Sequence, residues 1–180
     1  MTTYNIRNKD QQTTPQKFML KERIKAVAIL DNLRSAYNTG SIFRTADTVR
    51  LGKLFLCGST PTPLNPKLVK TSLGAEEFVP WEYFTKTEEA IKRLKEENYF
   101  IVSMETADGA ENLFKTELPE KIAFIFGNEK DGLQSDFLEL SDKVIELPAC
   151  GMKNSLNVAN AFSATIYEYF RRYGDNLLNG

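Results

Sequence analysis

Apolar residues in this chain cluster into short unbroken runs: KAVAIL (25–30), KLFLCG (53–58), YFIVSM (99–104), KIAFIFG (121–127) and KVIELP (143–148). A run of about four to eight apolar residues without polar alternation predicts a strand buried on both faces. A sixth run, FVPWEYF (78–84), contains Pro80. Proline has no N–H for a sheet ladder, so this run predicts a short strand or an edge strand.

Between the runs the period becomes helical. Residues 38–51 place Ile42, Ala46 and Val49 on one side and Ser41, Arg44 and Thr48 on the other, with Gly52 as the stop. Residues 66–74 predict a short helix opened by Pro66 and closed by Gly74. KTEEAIKRLKEENY (86–99) predicts a surface helix capped by Thr87, with Ala90, Ile91 and Leu94 as its buried stripe. SDFLEL (135–140) predicts a short helix, and a last helix runs from 156 to 173 and stops at Gly174. A helical turn falls near Phe18 to Arg23, and 106–120 is the longest structureless connection.

Buried strands alternating with helices predict an α/β fold: a mostly parallel sheet with helices on both faces. The length of 180 residues suits one domain, 25–180, behind a polar N-terminal arm, 1–24. Val158, Ala159, Phe162, Ile166, Tyr169, Phe170 and Tyr173 cover more than half of the last helix. Such a helix needs cover on two sides, and a partner subunit would supply the second.

Composition narrows the chemistry. Net charge is −1, so bulk charge does not point to nucleic acid. The arm is locally basic, with Arg7, Lys9, Lys17, Lys21, Arg23 and Lys25 against Asp10 and Glu22. It reads either as a polyanion-facing segment or as a solvated tail. No run is long enough to span a bilayer, and the first residues are too polar for a secretory signal. Cys57 and Cys150 form no CxxC, which suits a reducing cytoplasmic setting and excludes a disulfide scaffold or zinc site. There is no histidine. That removes Ser-His-Asp and Cys-His catalysis, HExxH proteases and His-metal centres together, and no metal is expected.

In an open parallel sheet, ligands bind at the carboxyl ends of strands. Those ends lead into DNLRSAYNTG, ETADGA, GNEKDGL and PACGMKNSLN. Neither GxGxxG nor GxxxxGK[ST] occurs, so a nucleotide-like cofactor needs another kind of loop.

Three segments supply one. NLRSAYNTGSIFRTAD (32–47), IAFIFGNEKDGL (122–133) and ELPACGMKNSLNVANAF (146–162) resemble, in order and spacing, the three motifs of the SpoU/TrmH branch of SPOUT RNA methyltransferases. The resemblance covers about 25–180. It implies methyl transfer from S-adenosylmethionine to a ribose 2′-hydroxyl of tRNA or rRNA. It also implies a homodimer with its active site near the interface, and a C-terminal trefoil knot whose loops clasp the cofactor. The alternatives are a non-catalytic RNA-binding module on the same fold, or a doubly wound enzyme with a different cofactor.

Residue by residue, the resemblance assigns Asn38, Arg44, Ser155 and Asn157 to catalysis. It assigns Met104, Glu105, Thr106, Phe126, Gly127, Asn128, Glu129, Leu147, Pro148, Gly151, Ser155 and Leu156 to the cofactor. Leu147 and Leu156 would flank the adenine, and Gly127 would let backbone approach the cofactor. Arg34, Arg44, Lys67 and Lys70 would contact RNA. A guanidinium is effectively always protonated, so Arg44 is better suited to gripping a phosphate and stabilising the forming alkoxide than to acting as base. Each residue also has a plain reading. Asn38 could cap helix 38–51, and Ser155 and Asn157 could cap the last helix. Arg34, Arg44, Lys67 and Lys70 could be solvated surface charges.

Overall fold

The computed structural model describes residues 14–178. Expectations placed on 1–13, including Arg7, Lys9 and Asp10, lie outside the described residues. Helix α1 (Pro15–Met19) precedes β1 (Ala26–Asp31), α2 (Ala36–Thr48), β2 (Lys53–Cys57) and α3 (Pro66–Ser72). After a 3₁₀ turn at Ala75–Glu77 come β3 (Trp81–Phe84), α4 (Thr87–Glu96), β4 (Phe100–Met104) and β5 (Glu111–Asn112). The chain continues through β6 (Ile122–Phe126), α5 (Ser135–Leu140), β7 (Lys143–Glu146), α6 (Val158–Tyr173) and α7 (Asp175–Leu178).

All seven strands join one sheet in the order β3-β2-β1-β6-β4-β7-β5, and every ladder is parallel. The unbroken apolar runs have a direct cause. Ala26, Ala28 and Leu30 of β1 face one buried cluster with α2, α3 and α6, while Val27 and Ile29 face a second cluster with α4 and α5. Both faces are covered, so no polar alternation survives. Each fully buried Leu, Ile or Phe contributes roughly 1.5–3 kcal/mol.

Several local expectations change. Helix α2 starts earlier than expected because Ser35 is its N-cap, accepting from Asn38 N at 3.2 Å. Asn38 therefore lies inside the helix, and its capping role is excluded. The helix stops before Gly52, since Arg50 turns the chain at a φ of 54°. The run 78–84 yields only Trp81–Phe84 as a strand, at the sheet edge as Pro80 suggested. Thr87 does not cap α4. It is the first helical residue, and its hydroxyl donates instead to the buried Asp31 carboxylate. The helical turn near 18–23 lies earlier, at Pro15–Met19. The last helix starts at Val158, after Asn157.

The connection 106–120 is not structureless. Glu111 and Asn112 pair with Ile145 and Glu146, so β7 lies between β4 and β5. Residues 105–110 must then cross over the carboxyl end of β7. Helix α6 pins the rest of this connection. Arg172 donates to the carbonyls of Thr116 and Leu113, at 2.6 and 2.8 Å, and the Tyr169 and Tyr173 hydroxyls donate to those of Glu120 and Leu118. This also revises the reading of α6. Val158, Ala159, Phe162, Ile166 and Tyr169 are buried within the chain, and Phe170 and Tyr173, partly buried, pack against the same core. Most of the apolar width of α6 is covered within the chain, so that width does not by itself call for a partner.

The arm, too, has a structural task. Arg23 donates to the carbonyls of Phe78 (2.6 Å) and Leu51 (3.3 Å). Phe18 meets the Phe78 ring edge-on, and Arg50 stacks over Phe18 with 4.5 Å to its centroid. Arg23 therefore anchors the arm to the body, which overrides its reading as a polyanion contact.

Candidate active site

The carboxyl ends of β4, β6 and β7 open into one cleft of about 760 Å³. Every residue that the resemblance assigns to the cofactor lines it, from Met104, Glu105 and Thr106 through Phe126 to Glu129, then Leu147, Pro148, Gly151, Ser155 and Leu156. Asn157 lines it as well. Cys150, Lys153 and Asn154 of the third motif line it too, and Lys130 and Met152 are lining residues that the sequence did not single out. Leu147 packs partly against the core, whereas Leu156 is 57% exposed at the mouth.

The cleft is cross-braced. Glu105 accepts from Leu133 N at 2.8 Å and from Thr106 N at 3.0 Å. This ties the loop after β4 to the loop after β6. Gly132 lies at a φ of 68°, and a Cβ there would sit 2.6 Å from Glu105 Oε2. Glycine is thus needed both for the turn and for the carboxylate's place. Thr106 Oγ1 donates to the Asn154 carbonyl at 3.1 Å, joining the loop after β4 to the one after β7. Gly127 is tight for a different reason than expected. Its added Cβ would meet Gly132 C at 2.5 Å and Leu133 N at 2.7 Å, so the crowding comes from the protein's own loop.

The loop after β1 is held to this frame. Asn32, at a φ of 51°, accepts from Ser59 N through its side chain, and its carbonyl accepts from Asn128 Nδ2 at 2.7 Å. Glu129 accepts from Arg34 N at 2.8 Å, Ser35 N at 3.1 Å and Asn38 Nδ2 at 2.9 Å. Partial burial pushes the Glu129 carboxyl up, but these N–H donors outweigh it and hold the group below its ordinary value. Asn38 Oδ1 accepts from Asn157 Nδ2 at 3.2 Å, and Asn157 Oδ1 caps α6 by accepting from Ala159 N at 2.9 Å. Asn157 thus takes the capping role, and Ser155 does not share it.

Arg44 stands apart. It is exposed and does not line the cleft. Six helical residues place it about 120° around α2 from Asn38. On the Asn38 side, Thr45 instead meets Ser163 of α6 at 2.9 Å. Arg34, Lys67 and Lys70 are exposed. Cys57 is buried, which pushes its thiol up to about 12, while Cys150 is exposed at the cleft. Among the described residues no helix is long and apolar enough to cross a membrane, and no cluster of His, Cys, Asp and Glu could hold a metal ion.

The model of the SpoU rRNA methylase family matches residues 25–167. A protein of Staphylococcus aureus (strain MSSA476), named for the TrmH family of tRNA/rRNA methyltransferases, is 32% identical over 172 residues. The match spans 96% of this chain and 68% of that protein. The SpoU methyltransferase AviRb from Streptomyces viridochromogenes, solved with AdoMet, superposes with a TM-score of 0.75 at 25% identity, covering 92% of this chain and 65% of that one. The A. aeolicus TrmH/SpoU tRNA modifying enzyme shares the fold at a TM-score of 0.79 and 23% identity, covering 90% and 82% of the two chains. With two of its motif loops lining one cleft, the first motif tied to them through Glu129 and Asn128, and the family model spanning most of its length, the chain belongs to the SpoU methylase family, alongside the TrmH-type methyltransferases.

Proposed function

We propose that this protein is a homodimeric, cytoplasmic methyltransferase that moves a methyl group from S-adenosylmethionine to a ribose 2′-hydroxyl of tRNA or rRNA. The observation that carries this reading is the convergence of the loops after β4, β6 and β7 on one cleft, within a chain of the SpoU family. The cleft has the size of a small-molecule site. It offers apolar walls at Met104, Phe126, Leu147 and Leu156 beside main-chain polar groups at Gly127 and Pro148–Gly151. That mixture suits an adenine flanked by apolar side chains and read along its edge by backbone. The bound donor supplies an activated methyl group on a positive sulfur.

The chain's own residues then have two tasks. The first is alignment, because transfer needs the sugar oxygen held in line with the donor carbon. Asn38 and Asn157, joined at the cleft rim, are placed to hold that oxygen. The second is charge. A hydroxyl becomes a good nucleophile only as its proton leaves. Arg44 is assigned to the adjacent phosphate and the forming alkoxide, with the proton passing to phosphate or water. Arg34, Lys67 and Lys70 add phosphate contacts.

The exposed Arg44, absent from its own cleft, is the reason for preferring a dimer in which each guanidinium serves the partner's cleft. The trefoil knot follows from the same reading. Strand β7 lies between β4 and β5, and Thr106 of the crossing loop bonds Asn154 beyond β7. The test is tritiated methyl transfer onto RNA from a strain lacking the gene, followed by nucleoside mapping. A labelled 2′-O-methyl nucleoside is expected. Base-methylated product, or none, would sink the proposal.

A further inference from the structure

We propose that Glu129 is a positioning residue, not a cofactor ligand: its carboxylate fixes which way the Asn38 amide points and couples that amide to the cofactor cleft. This rests on the methyl-transfer reading above.

The carboxylate is already committed. Oε2 accepts from Arg34 N, and Oε1 accepts from both Ser35 N and Asn38 Nδ2. These donors surround the amino end of α2, where Ser35 is the cap and the helix dipole favours an anion. The acid is thus occupied by the protein's own amides rather than turned to a ligand.

The consequence concerns polarity. An ionised carboxylate only accepts, so Asn38 must turn Nδ2 toward it. Asn38 Oδ1 is then left to accept from Asn157 Nδ2. At the far end, Ala159 N only donates, so Asn157 must turn Oδ1 toward it. The chain Glu129–Asn38–Asn157–Ala159 therefore has an acceptor fixed at one end and a donor fixed at the other. Neither amide can flip without opposing two like groups. Asn38 keeps one further N–H for a substrate oxygen, which is the polarity a forming alkoxide requires.

The coupling comes from the loop itself. Asn128 and Glu129 line the cleft and also hold the segment 32–38, through Asn128 Nδ2 to the Asn32 carbonyl and through the Glu129 bonds. The same short loop therefore forms part of the cleft wall and holds Asn38 in place.

Glu129→Gln keeps the shape and removes the fixed polarity. A glutamine can offer Nε2 to Asn38, which then flips and turns Nδ2 against the Asn157 donor. Three measurements on the full chain test this. Turnover on RNA should fall at least about tenfold, the scale of losing a charge-assisted bond. Affinity for S-adenosylhomocysteine by calorimetry should stay within about twofold. The Asn38 side-chain NH₂ resonances, identified by their loss in Asn38→Asp, should shift in Glu129→Gln. Wild-type turnover in Glu129→Gln, or a fall in cofactor affinity matching the fall in turnover, overturns the proposal. If wild-type protein methylates no RNA, the functional reading fails by itself, and the NH₂ resonances still decide: an unchanged Asn38 signal overturns the positioning role.

Discussion

Thr106 and Asn154, 48 residues apart in sequence, are joined by a 3.1 Å hydrogen bond from the threonine hydroxyl to the asparagine carbonyl. The bond closes the loop after β4 against the loop after β7, directly over the cleft. Both groups are exposed, so water can replace part of what is lost. Thr106→Val keeps the shape and removes the donor. S-adenosylhomocysteine should bind about two- to fivefold more weakly by calorimetry, at the low end of a neutral bond's contribution. Unchanged affinity would mean that the two loops are held together by other contacts.

Gly127 makes a harder demand. An added Cβ would press on the backbone of Gly132 and Leu133, which cannot swing aside as a side chain can. The loop would have to open at the Asn128–Gly132 bridge. Gly127→Ala should therefore lower the melting temperature and weaken cofactor together, with a destabilisation of about 1–3 kcal/mol. Thermal melts and calorimetry on the same sample check this. Lost cofactor affinity at an unchanged melting temperature would restore the simpler idea that the glycine faces the ligand.

These two positions show where a linear reading succeeds and fails. The strands were legible because burial on both faces leaves an unbroken apolar run, as in Ala26–Leu30 and Ile122–Phe126. Strand β5 was not, because two residues carry no period, and Glu111 and Asn112 are polar. Thr87 read as a cap because its actual partner, Asp31, lies 56 residues away. The cleft residues were legible through motif order. Their partners were not: Glu105 and Glu129 line the cleft as assigned, but that Glu105 also accepts from Leu133 N, and Glu129 from Arg34 N and Ser35 N, was not legible. Carboxylates near a ligand loop look alike in sequence whether they face the ligand or hold the wall.

Arg44 should act on the partner's cleft. A heterodimer is made from one Arg44→Ala chain and one Gly127→Val chain, using two affinity tags. The cleft of the first chain is intact and receives Arg44 from the second. One working site per heterodimer is expected, about half of wild-type turnover, although each homodimer is inactive. Arg44→Ala alone should bind S-adenosylhomocysteine normally. An inactive heterodimer would place Arg44 in its own cleft, an active Arg44→Ala homodimer would place it outside the chemistry, and a monomer in size-exclusion chromatography with light scattering would rule out the shared site.

Glu168 links acid stability to the covering connection. It accepts from Arg171 (2.8 Å) and Arg172 (2.8 Å), and Arg172 in turn holds the Leu113 and Thr116 carbonyls. The hydrogen bonds from Arg171, then those from Arg172, outweigh burial and pull the carboxyl down to about 2. A depressed carboxyl stabilises the fold fully above its ordinary value and loses that contribution as pH falls through the folded one. Glu168→Gln should cost on the order of 1–2 kcal/mol at pH 7, the shift being discounted because Arg171 faces water. The gap between wild type and variant in urea titrations should narrow below about pH 4.5 and close near pH 2. A constant gap across that range would mean that the ion pair contributes nothing specific.

The two cysteines give a direct readout of cleft occupancy. Cys57 is fully buried in β2, and burial holds its thiol near 12, so almost no thiolate exists at neutral pH. Cys150 is exposed and lines the cleft. A thiol reagent on the native protein should modify one residue quickly, Cys150, and leave Cys57 unmodified until the chain unfolds. Saturating S-adenosylhomocysteine should slow the fast reaction severalfold, because the ligand and the reagent compete for the same opening. Cys150→Ser should remove the fast phase while preserving the melting temperature, since an exposed side chain carries little packing. Mass mapping of the labelled peptide identifies the residue. Protection absent at saturating ligand would move the binding site away from the 148–157 loop, and with it the role given to Leu156.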